Sequence, residues 1–110
     1  MTKRDITSYE YDKNGKVLKQ INANGTVDGY EYDDMGQLIK QTVSDKAGDA
    51  LSYIEYEYDE AGSNTHYTSY RADHTKSYES FNRHQEDGSY QHRTIYYNSD
   101  GTVREDTGWR

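Results

Sequence analysis

The chain has 110 residues, a formal net charge of -7, thirteen tyrosines, and neither proline nor cysteine. That length holds one domain, 1–110, and the acidity argues against nucleic acid or an anionic membrane surface as partner, since both need clustered Lys and Arg. Without cysteine there is no disulfide framework, thiol nucleophile or Cys-based zinc site. Ile, Leu, Val and Phe together number only 13, so tyrosine rings, whose hydroxyls can stay wet, must supply much of the buried area in a thin, solvent-rich core.

The first predicted strand covers 6–12 and carries "YEYD" from Tyr9. Tyr9 and Tyr11 are two residues apart, so on a strand they share one face while Glu10 points to the other. Asp12 then opens a turn by accepting bonds from backbone amides two residues on, and Gly15 provides the positive φ that closes it. The return strand is 16–22, followed by Asn24-Gly25, read as a two-residue hairpin turn.

Strand 26–33 repeats the phrase: "YEYDDMGQLIKQ" from Tyr30 matches "YEYDKNGKVLKQ" from Tyr9 at seven of twelve positions, 21 residues on. Tyr30 and Tyr32 share a face, Asp33 and Gly36 make the turn, and strand 37–44 returns. The acidic "DKAGD" at 45–49 reads as a turn in which Asp is the turn former rather than a cation ligand. Strand 51–59 carries Tyr56 and Tyr58, and Asp59 and Gly62 turn the chain into 63–71. Strands 75–82, 89–98 and 102–107 follow, separated by Asp73-His74, Asp87-Gly88 and Asp100-Gly101. "YESFNRHQEDG" from Tyr78 reads as a degraded copy with Phe81-Asn82 in place of Tyr-Asp, and "IYYNSDGTV" from Ile95 as a fourth copy with Tyr97 and Gly101. The pattern is all-β, an antiparallel meander of about nine short strands. An open, gently coiled sheet fits the inventory, with a small barrel or sandwich as the alternative.

His66, His74, His84 and His92 are spread without ligand spacing and read as solvated polar residues; no metal and no cofactor is predicted. Glu10, Glu31, Glu55, Glu57 and Glu79 are the carboxylates from which a hydrolytic pair would have to be drawn, but such a pair needs a set separation in a deep site. No nucleophile-elbow pattern occurs, and no enzyme is predicted.

The unit Tyr-x-Tyr-Asp-x-x-Gly-x-Leu resembles the YD repeat of the RHS family. It is matched at Tyr30, Tyr32, Asp33, Gly36 and Leu38, and at Tyr9, Tyr11, Asp12 and Gly15 with Val17 in the Leu position. Tyr56, Tyr58, Asp59 and Gly62 match with Asn64 in that position, and Tyr97 and Gly101 match with Asn98 for Asp. The resemblance implies hairpins strung into a spiralling sheet, as in bacterial toxin shells, and a link with carbohydrate binding. The expected function is a non-enzymatic interaction or scaffold module. Tyr9, Tyr11, Tyr30, Tyr32, Tyr56, Tyr58 and Tyr97 would form its binding face, and the sheet edges would meet a protein partner or another copy. An immunity-type inhibitor of a toxin domain and a carbohydrate-binding module taking an oligosaccharide are the alternatives. No apolar run has the length of a signal h-region, which places the chain in the cytoplasm if complete and makes it secreted or cell-surface if part of a larger protein.

Overall fold

The computed structural model describes residues 8–110; residues 6 and 7 of the first predicted strand lie outside them. The described residues form nine strands and no helix: β1 (Ser8–Tyr11), β2 (Val17–Ile21), β3 (Val27–Tyr32), β4 (Leu38–Ser44), β5 (Ala50–Tyr58), β6 (Asn64–Arg71), β7 (Lys76–His84), β8 (Tyr90–Tyr97) and β9 (Val103–Asp106). Their order in the sheet is their order in the chain, from β1 to β9. This is the antiparallel meander that the alternation of rings and turns predicts, left open rather than closed into a barrel. By compactness the chain divides into units Met1–Tyr53 and Ile54–Arg110.

All eight turns have one build. The amide of the first turn residue donates to the carbonyl of the fifth, and the amide of the fourth donates back to the carbonyl of the first. In the first turn these are Asp12 to Lys16 at 2.9 Å and Gly15 to Asp12 at 3.0 Å. The fourth position is glycine in seven turns and His74 in the sixth, where the backbone has φ of 72°. The fifth amide is also held by a side chain, in two ways. Asp12, Asp33, Asp45 and Asp59, at the first position, accept from the third and fifth amides at 2.8–3.0 Å. In the other turns Asn24, Asp73, Asp87 and Asp100, at the third position, accept from the amide and hydroxyl of the Ser or Thr that follows the glycine or histidine. Asn24-Gly25 is therefore not a two-residue turn. That turn needs positive φ at both central residues, and only Gly25 has it.

The shared build corrects the reading of the later repeats. Pairing of β7 with β8 runs on to His84 opposite Tyr90, so strand continues through Phe81-Asn82. The turn starts at Gln85 and has the same length as the rest. Counting alternate turns, the first positions are 12, 33, 59 and 85 in one series and 22, 45, 71 and 98 in the other. "IYYNSDG" therefore belongs to the second series, not to the one headed by the three "YEYD" copies.

A bulge follows the turn in four of the six hairpins whose register is described, β1–β2, β3–β4, β6–β7 and β8–β9, whereas β2–β3 and β7–β8 pair without a shift. Glu10 opposes Lys19 but Tyr11 opposes Val17, so Leu18 is the extra residue. Ile39, Ser77 and Arg104 are its counterparts on β4, β7 and β9. Such an extra residue bends the strand and increases its twist.

Among the described residues no apolar side chain is buried; the four buried residues are Thr68, Ser69, Glu79 and Ser80. Rings and long side chains cover a polar centre, in keeping with the scarcity of aliphatics after residue 55.

Candidate functional site

In the first unit the rings of Tyr9 and Tyr11 lie 6.1 Å apart and stay 47% and 57% exposed. Tyr30, opposite Gln41 on β4, is half-buried. Burial first, then the charge of Asp28, pushes its hydroxyl pKa above the usual tyrosine value. Tyr32 extends to the preceding hairpin, donating to the Val17 carbonyl at 2.7 Å, with the Lys16 ammonium 5.3 Å from its ring centre. Asp33 beside it is held below the ordinary carboxylate range, chiefly by the Gln37 amide.

In the second unit Tyr56, Tyr67, Tyr78 and Tyr96, one from each of β5 to β8, form a continuous stripe. Successive ring centres are 5.9, 6.3 and 5.9 Å apart, and the Arg104 guanidinium from β9 lies 5.7 Å from the last ring. Register explains the packing. Tyr67 sits opposite Ser80 and Ser69 opposite Tyr78, so these two rings each face a buried serine and meet diagonally, while Tyr78 stands directly opposite Tyr96. Each aromatic pair adds about 0.5–1.5 kcal/mol beyond burial. Only Tyr56 of this stripe is among the predicted binding residues. Tyr67, Tyr78 and Tyr96 lie outside "YEYD", though the repeated Tyr-x-Ser of "YTS" and "YES" marks two of them.

Tyr97, next to Tyr96, points to the opposite face and enters a polar network. Its hydroxyl donates to Glu79, a carboxylate only 7% exposed. His66 Nε2 is 2.9 Å and Lys76 Nζ 3.3 Å from the same carboxylate. The other ring nitrogen of His66 is 2.5 Å from Glu57, which is 69% exposed. Burial alone pushes Glu79 upward, but the bonds from Tyr97, then His66 and Lys76, outweigh it and hold the carboxyl below its usual range. The same burial and the Glu79 contact push Tyr97 up to about 12. His66 is thus not a solvated residue: its ring stacks on Phe81 at 4.4 Å. Phe81 continues to Trp109 at 6.5 Å, over which Arg83 lies at 3.9 Å.

Glu57 and Glu79 are therefore bridged through an imidazole rather than facing each other across an open site. A groove of about 300 Å³ runs along Asp59, Ser63, Asn64, Asn82, Arg83 and Tyr90. His74 lies in a turn, His84 ends β7 with its ring stacked on Tyr90 at 4.7 Å, and His92 Nδ1 is 2.6 Å from Asn82 Oδ1. Among the described residues no three His, Asp or Glu side chains are grouped to hold a metal ion. Tyr58 ends β5 half-buried, and Asp12, Gly15, Asp33, Gly36, Asp59, Gly62 and Gly101 hold the turns assigned to them.

Comparison with known proteins agrees with this geometry. Residues 11–50 match the RHS repeat family. No curated protein matches the sequence. Among solved structures, the crystal structure of TcdB2-TccC3-TEV is similar with a TM-score of 0.55 and 16% identity, over 92% of this chain and 7% of that one. At that identity the likeness is one of fold, and the chain spans a small part of the larger protein's length. Residues 11–50 are thus similar to the RHS repeat, and the turn build found there continues to β9.

Proposed function

We propose that this module is non-enzymatic and works by joining: it offers the edges of its sheet to a strand of a protein partner or of another copy. Its tyrosine-rich surface adds contact area beside the joint. The observation that carries this reading is one turn built eight times along an unclosed ladder. Such a ladder ends in strands with unused backbone donors and acceptors, which another strand can satisfy. The likeness of fold to the TcdB2-TccC3-TEV structure, which extends over 92% of this chain, supports the same reading. Sedimentation velocity over a wide concentration range tests it. Reversible association is expected to grow with concentration and to survive high salt, because main-chain bonds rather than surface charge hold the joint. A species that stays monomeric at every concentration and captures no RHS-type sheet defeats the proposal.

A further inference from the structure

The two edge strands are built differently. On β9 the bulge lies on the edge strand itself, with Arg104 as the extra residue, and three of its four residues are charged. Arg104 lies over Tyr96, and Asp106 is held by Arg93 through contacts of 3.0 and 2.5 Å. Beyond Asp106 the chain kinks at Gly108, φ 68°, and pairs again with β8, Arg110 and His92 exchanging backbone bonds at 2.9 and 3.0 Å. Bulges, short length and charge are the devices by which sheets discourage pairing at an edge. β1 lacks them. Its hairpin's extra residue, Leu18, is on β2, its one charge is Glu10, and Tyr9 and Tyr11 stand exposed on one face.

We infer that β1 is the joining edge and β9 the closed end, and that β1 pairs with β1 of a second copy about a two-fold axis. This rests on the edge-joining reading above. Antiparallel pairing of identical strands is self-complementary. The pairing that sets rings opposite rings places Tyr9 and Tyr11 of both copies on one face, and a slip of one residue would set rings against Glu10. On the other face Glu10 keeps Lys19 as its cross-strand neighbour within each copy, so the carboxylates reach the joint already flanked by positive charge. With β9 closed, assembly stops at two copies.

The chain has no cysteine, so a single introduced one carries a spin label cleanly. Ser8→Cys on β1 is expected to give a short, narrow distance between copies, and Val103→Cys on β9 none. Tyr9→Lys with Tyr11→Lys is expected to weaken the dimer at least about tenfold while circular dichroism stays unchanged; Glu105→Val leaves the dimer as it was. A short distance from Val103→Cys, or assemblies larger than two, overturns the assignment of edges but leaves joining intact. A wild-type monomer throughout removes both. Should the double lysine variant unfold, the label distances decide alone.

Discussion

Replacing Glu79 with alanine is the most informative single perturbation of the second unit. The carboxylate is 7% exposed and accepts from Tyr97 and from His66 at 2.9 Å, with Lys76 at 3.3 Å. Bonds to a charged group contribute about 1.5–3 kcal/mol each. The Lys76 contact, with its ammonium half exposed, contributes less than about 0.5 kcal/mol. Against these stands the relief of the burial penalty of the charge, yet removing one partner from a buried charge network still costs about 3–5 kcal/mol. The net loss is about 3 kcal/mol, or roughly a 12 °C fall in midpoint for a domain of this size. Glu57→Ala is the control, because Glu57 touches the same histidine from a 69% exposed position and should cost under about 1 kcal/mol. Thermal unfolding followed by circular dichroism measures both. The pH dependence has a fixed sign: the Glu79 carboxyl sits below its usual value, so its contribution is complete above the ordinary carboxylate range and disappears as pH falls through the lowered one. If Glu79→Ala costs no more than Glu57→Ala, the network does not hold the sheet and the reasoning is wrong.

Tyr97 should be the last tyrosine to ionise, at about 12. Its contribution is complete below pH 10 and is lost as pH rises towards 12; ultraviolet titration of wild type against Tyr97→Phe reads it directly. Asp106 should titrate at about 2, held there first by the Arg93 guanidinium and then by the Gly108 amide, and Arg93→Gln should move it back towards the ordinary carboxylate range in an NMR titration. His74→Gly should stabilise the protein by up to about 1 kcal/mol, since a left-handed backbone costs a non-glycine residue about 1–2 kcal/mol and glycine's extra chain entropy takes back part of the gain. Denaturant midpoints measure it, and a loss of stability would mean that the contacts of the His74 side chain outweigh its backbone strain.

Turns were legible in the sequence because their chemistry is local. Asp12, Asp33 and Asp59 satisfy amides two and four residues on, and the glycine three residues along takes the positive φ; both events fall within five residues. For the same reason all nine strands could be placed to within a few residues. The error at Phe81-Asn82 arose from matching ring-plus-amide as a motif, whereas strand length was set by the β7–β8 ladder. The tyrosine stripe and the Glu79 network were not legible. Glu79 meets His66 across 13 residues and Tyr97 across 18, and nothing local fixes which residues of β6, β7 and β8 stand opposite one another. Tyr97 shows the difference: by motif it belongs with the other Tyr-Asp rings, by register it belongs to a buried carboxylate.

The polar centre has a consequence for how this protein responds to temperature. Heat-capacity change on unfolding comes from exposing apolar surface and is reduced by exposing polar surface. Here the buried residues are Thr68, Ser69, Glu79 and Ser80, so the change per residue should fall below the usual 12–15 cal/mol/K or so. The stability curve then becomes shallow: little is lost on cooling, little is gained near the optimum, and the transition on heating is broad. A sheet of this kind holds much the same stability over a wide range of temperature.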